Sequence, residues 1–154
     1  MSHKKVLNKI QFEIEQVDKL LNKYDNLINQ CKEEEPELVE LTALASVLHS
    51  FYSGIENIFL VIAKNVDDEK PDDSKWHKEL LLQMTESTDN REAIISEDLK
   101  EKIKDYLGFR HFYRHSYSFY LDWGEMKNLI FSIFDVWTQL KEELNDFTDD
   151  LNKK

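Results

Sequence analysis

Apolar residues return at alternating steps of three and four along most of this chain, a spacing that leaves little room for anything but amphipathic helices. Leu7, Ile10, Ile14, Val17, Leu21, Tyr24, Ile28 and Cys31 form the first such seam. Leu38, Leu41, Ala45, Leu48, Tyr52, Ile55, Phe59 and Ile62 repeat it, widened by Leu44, Phe51 and Ile58. Met126, Ile130, Ile133, Trp137, Leu140, Leu144, Phe147 and Leu151 make the last. Only 3 glycines and 2 prolines occur in 154 residues. That excludes a many-stranded sandwich or barrel, which needs turn residues every 8–12 positions or so.

The seams predict one long helix through Cys31, ending in the acidic run Glu33–Glu35. Pro36 suits the first turn of a second helix, where its missing N–H costs nothing, and the wide stripe makes this second helix the most buried. Residues 65–74 read as a polar surface loop, with Ser74 capping a shorter helix through Met84. Residues 85–90 read as a loose connection. Ser96 opens a fourth helix, and Asp122-Trp123-Gly124-Glu125 offers a variant capping box for a fifth. The expected architecture is all-α: an up-and-down antiparallel bundle of four to five helices in one domain, residues 1–154.

A single cysteine, Cys31, excludes an intramolecular disulfide and any cysteine-rich zinc site. No apolar N-terminal stretch resembles a signal peptide, and runs such as Ile58–Ala63 are too short to span a bilayer, so the expected location is cytoplasmic. The net charge of −11 opposes nonspecific binding to nucleic acid or anionic membranes. That average conceals a local reversal. Between Lys100 and Tyr117, five basic residues (Lys100, Lys102, Lys104, Arg110 and Arg114) face only Glu101 and Asp105, with His111 and His115 besides.

This basic stretch coincides with the helix that least resembles a core helix. Its seam runs Leu99, Ile103, Tyr106, Arg110, Tyr113, Tyr117, Tyr120, placing an arginine among tyrosines. A second stripe, Gly108, Phe112, His115 and Phe119, lies on another side of the helix. A helix apolar on two sides must bury both. One side faces its own bundle, and a second copy related by a twofold axis is a natural cover for the other. Packing and cation–π stacking alone also account for an arginine and a histidine among aromatics.

Arg110-His111-Phe112-Tyr113-Arg114-His115-Ser116-Tyr117 contains R-x4-H-x-Y. In this motif and its flanks the chain resembles the HepT-like branch of the HEPN superfamily. The flanks are Phe109-Arg110-His111, the tail through Asp122, Tyr52-Ser53-Gly54-Ile55-Glu56-Asn57-Ile58, and Trp76-His77-Lys78-Glu79-Leu80-Leu81. The resemblance runs from about Leu38 to Leu144. It implies a metal-independent endoribonuclease toxin of a type VII-like toxin–antitoxin system, in which two protomers share a cleft. It further implies that a minimal nucleotidyltransferase antitoxin silences the toxin by transferring AMP to the motif tyrosine. Carried over, Arg110 and His115 are the catalytic pair and Tyr117 the AMP acceptor, with His111 and Arg114 as supporting RNA contacts.

Those residue types suit RNA cleavage by its own 2′-OH. Imidazole moves protons near neutral pH. A guanidinium binds phosphate through a planar fork and stabilises charge building in the transition state. One geometric obstacle arises: on a regular helix His115 lies about 140° from Arg110, whereas Tyr117 shares its face. Convergence then calls for long side chains, a distortion near Gly108, or a second protomer. No cofactor is expected. The pair His111 and His115, at i and i+4, lacks the further ligands a zinc site needs. His49 reads as a packed histidine, and His77 as a helix start or surface contact. The competing functional class is a noncatalytic helical partner of a nucleotidyltransferase, favoured by the acidic surface.

Overall fold

A computed structural model describes residues 2–115, 117 and 120–153. The described residues form six helices: α1 (His3–Lys23), α2 (Asp25–Gln30), α3 (Leu38–Asn65), α4 (Trp76–Met84), α5 (Glu97–His115) and α6 (Trp123–Asn152). Among them no strand forms beyond an isolated bridge between Thr88 and Arg91. The fold is the expected all-α bundle, and its extra helix comes from a break in the first seam. At Tyr24 the backbone leaves helical geometry (φ −104°, ψ 9°), with the Tyr24 N–H bonded back to the Leu20 carbonyl, before α2 restarts. The apolar stripe passes through this break undisturbed, since Leu21, Ile28 and Cys31 are all buried. Burial pushes the Cys31 thiol above its usual pKa, helped by the carboxylates of Glu40 and Glu34.

Helix α3 is the axis of the bundle and packs against α1, α4, α5 and α6. By length and apolarity it resembles a membrane span, but half of its most apolar stretch is buried inside the bundle. Its apolarity is therefore accounted for by the core. Pro36 lies ahead of α3 rather than in its first turn. The cap is Glu37, whose side chain accepts from the backbone at Glu40 while its own N–H donates to Glu40 Oε1 at 3.0 Å. Two carboxylates at the helix N-terminus also complement its dipole.

Gly54 sets the closest approach of α1 to α3. A Cβ built there would stand 2.5 Å from Cγ2 of the buried Val17. Alanine is intrinsically the better helix former by about 1 kcal/mol, but here the overpacking term wins. Gly54→Ala should lower stability by about 1–3 kcal/mol in urea denaturation. An unchanged or increased midpoint would show that α1 yields freely.

The long connections around α4 are tied down rather than loose. Arg91 forks onto Asp67, with Nε to Oδ1 and Nη2 to Oδ2 each at 2.7 Å and both side chains almost fully buried. The remaining guanidinium hydrogens reach the carbonyls of Glu86 (2.6 Å), Glu92 (3.1 Å) and Gln83 (3.3 Å). Ser74 does not cap α4. Its N-cap is Lys75, whose N–H donates to Asp73 Oδ1 at 2.7 Å.

Ser96 does cap α5, accepting from the Leu99 N–H at 3.1 Å. It is itself held by Glu143 of α6, through Ser96 N (2.6 Å) and Oγ (3.1 Å). Tyr106 donates its hydroxyl to the Leu129 carbonyl at 2.7 Å, a second tie from α5 to α6. Asp122 caps α6 through the Gly124 N–H. That bond goes to the second helical residue, so the reciprocal box with Glu125 is not formed as expected.

Candidate functional site at the end of the fifth helix

The buried face of α5 begins with Leu99, Ile103, Tyr106 and Leu107 and turns polar in its last turns. Arg110 continues this face and is half-buried. Its guanidinium is close enough to bear on two residues of α3, His49 and Tyr52. Opposite it, α3 interrupts its apolar surface with His49, Tyr52 and Glu56, which share one side at helical spacing.

Glu56 is a buried carboxylate, its side chain only 8% exposed. His77 of α4 donates Nδ1–H to its Oε2 at 2.6 Å, and the Tyr52 phenol lies near enough to feel the same carboxylate. Burial first, then the Glu56 charge, raises the Tyr52 phenol well above its ordinary pKa, so it stays a neutral donor. The result is a chain of polar contacts from His77 through Glu56 to Tyr52, with Arg110 beyond it. His77 thus has a definite partner in the interior, with the Trp76 ring centred 3.7 Å from its own and tilted by 30°.

His49 is half-buried and lies 5.2 Å, ring to ring, from Tyr113 of α5. Burial, followed by the charges of Arg110 and Arg114, holds its imidazole below the ordinary histidine pKa. It is therefore neutral near pH 7. Two side-chain atoms here are buried without a hydrogen-bond partner among the described residues, His49 Nδ1 and Arg110 Nε.

The rest of the motif lies elsewhere. His111, Phe112, Arg114 and His115 are exposed, and the rings of His111 and His115 sit 4.7 Å apart. Tyr117 is 72% exposed and lies beyond the end of α5, so its expected place on the Arg110 face does not hold. Its ring is 6.4 Å from that of Tyr120. Phe119, expected on the second stripe, falls outside the described residues, whereas Gly108, Phe112 and His115 of that stripe all face outward.

Arg110 and His115 are thus on different sides of one unbroken helix. Helix α5 runs through Gly108 without interruption, which removes local distortion as a way to bring them together. Beside the outward stripe, α5 and α6 enclose a groove of about 680 Å³ whose lining joins Phe109, Phe112 and Tyr120 to the carboxylates of Asp105, Asp122 and Glu125. Among the described residues no group of three or more potential ligands is placed to hold a metal ion.

What the sequence did not single out is the α3 side of the site. Tyr52 and Glu56 entered only as flanks of a resemblance, and His49 as packing. The available signal was the spacing of three polar residues along one side of the most apolar helix. A family model described as HepT-like protein matches residues 43–151, which include both sides of this site. No curated protein and no solved structure matches the chain.

Proposed function

The chain belongs to the HepT-like family, and from that premise we propose that it is the ribonuclease toxin of a toxin–antitoxin pair, cutting RNA without a metal. The observation that carries this reading is the basic cluster on the last turns of α5. Arg110, Arg114, His111 and His115 occupy two successive turns, and none of the four forms an ion pair with a described carboxylate. In a chain of net charge −11, two guanidinia without a carboxylate partner among the described residues, with two imidazoles beside them, are suited to an anionic ligand. Physiological salt limits long-range repulsion to a Debye length of about 8 Å, so the cluster acts locally.

In the mechanism proposed, the Arg110 guanidinium forks onto the scissile phosphate. One imidazole takes the proton of the ribose 2′-OH, and the 2′-oxygen bonds to phosphorus. The bond from phosphorus to the 5′-oxygen breaks, and a second, protonated imidazole supplies the proton to that oxygen. The products are a 2′,3′-cyclic phosphate and a 5′-hydroxyl. His115 from each of two protomers would supply the base and the acid. This arrangement also answers the separation of Arg110 from His115, because a twofold partner can bring its outward His115 toward a neighbouring guanidinium. Tyr117, exposed next to this cluster, is the proposed AMP acceptor. An added phosphate and nucleoside would fill the cleft and repel RNA.

Incubating the purified chain with RNA in the presence of EDTA should yield those two end groups. Loss of cleavage with EDTA would remove the metal-free mechanism. Coexpression with the nucleotidyltransferase expected as antitoxin should place AMP on Tyr117 by peptide mass spectrometry, and modification solely at another residue would overturn that assignment. The acidic surface favours a second reading, a noncatalytic partner that binds such a nucleotidyltransferase. Normal bacterial growth and intact RNA on expression of folded chain would decide for it.

A further inference from the structure

His49 stands outside the R-x4-H-x-Y motif, on a different helix, yet it is placed among the motif's cations. Tyr113, whose ring it meets at 5.2 Å, is three residues from Arg110 and adjacent to Arg114. A neutral, half-buried imidazole beside two guanidinia can add an N–H donor to theirs for an anion held between them. Neither arginine has a described carboxylate as ion-pair partner. Among the described residues of the shallow groove beside His49, Glu13 of α1 is the carboxylate and accepts a hydrogen bond from Asn57, while Glu56 lies two turns along the same side of α3. The two orphaned buried atoms, His49 Nδ1 and Arg110 Nε, belong to this same cluster. Buried polar groups are rarely left without a partner, and an ion or water commonly supplies one where protein groups do not.

We propose that His49 is an RNA-binding residue of this site, holding one phosphodiester group jointly with the guanidinium of Arg110 between α3 and the end of α5. The assignment rests on the RNA-cleaving reading and adds to it a residue from a second helix. Arg114, one turn further along, faces the adjoining part of the same anion. A neutral imidazole offers one N–H donor and one acceptor, and a bound phosphate favours its protonated form, which offers two donors. Phosphate binding and proton uptake at His49 are therefore coupled.

The test uses the full chain labelled with ¹⁵N in its histidine rings, with His49→Gln identifying the His49 signals. Two probes are added at constant pH near 7: inorganic phosphate, and a 2′-O-methyl oligoribonucleotide that has no 2′-OH to attack. Both should move the His49 ring signals toward those of the protonated form, and Arg110→Ala should abolish the response. His49→Gln should weaken oligonucleotide binding by about tenfold, the scale of one hydrogen bond to a charged group. Should that variant fail to fold, the ring signals of the unaltered chain decide. Unmoved His49 signals at saturating oligonucleotide overturn the proposal, as does a response to inorganic phosphate alone. RNA cleavage with a silent His49 ring overturns it and leaves the ribonuclease reading intact. A responding ring in a chain that cuts no RNA supports the phosphate site and overturns the ribonuclease reading.

Discussion

Arg110→Ala should lower the rate of RNA cleavage by about 10²–10³-fold, the usual cost of removing one preorganised donor from a developing charge. Growth arrest on expression should disappear with it. The chain should remain folded, because no described carboxylate pairs with Arg110 and none is stranded by its removal. Arg110→Lys keeps the charge but loses the planar fork, so it should restore only part of the activity. His115→Ala should cost about 10²–10⁴-fold, the range for loss of a general acid or base. It should leave stability unchanged, since His115 is exposed at the end of its helix. Circular dichroism and kcat measured on the same samples separate chemistry from folding. A near-normal rate in Arg110→Ala would take the guanidinium out of the reaction.

The largest effect on stability is expected in the connections on either side of α4, at Arg91 and Asp67. Their two-point contact is buried, with side-chain exposures of 3% and 2%, so solvent does not screen it. Asp67→Ala leaves a buried guanidinium unpaired and should destabilise the fold by about 3–5 kcal/mol. At roughly 2–4 °C per kcal/mol for a chain of this size, the melting temperature should fall by about 6–20 °C. Arg91→Ala should do comparable damage, because it also frees the carbonyls of Gln83, Glu86 and Glu92. Thermal unfolding followed by circular dichroism measures both. A shift of only a degree or two would mean that the two connections hold together without the clamp.

That clamp illustrates what could and could not be read from the chain alone. Helices declare themselves locally: the seams from Leu38 to Ile62 and from Met126 to Leu151 recur every three or four residues, and their members are almost all buried. Tyr24 keeps the apolar stripe while its backbone breaks the helix, so the spacing gave no warning of the gap between α1 and α2. The charges of Asp67 and Arg91 look like ordinary loop residues, because their partnership spans 24 positions and carries no period. The functional region divides in the same way. Its motif half lies within eight consecutive residues, 110 to 117, and could be read directly. Its other half, His49, Tyr52 and Glu56, becomes visible only when α3 is laid against α5. The end of α5 at His115 also moved Tyr117 off the face that a longer helix would have given it.

The separation of Arg110 and His115 around an unbroken helix makes the account depend on two chains acting together. Subunit mixing tests this most directly. Unaltered chain is co-refolded with increasing amounts of the Arg110→Ala/His115→Ala double variant, and RNA cleavage is measured at fixed total protein. If the cleft is built from both protomers, mixed dimers are inactive and the rate should fall with the square of the unaltered fraction. A rate that falls in simple proportion to that fraction would mean that each chain cuts RNA alone, and the shared cleft would be wrong.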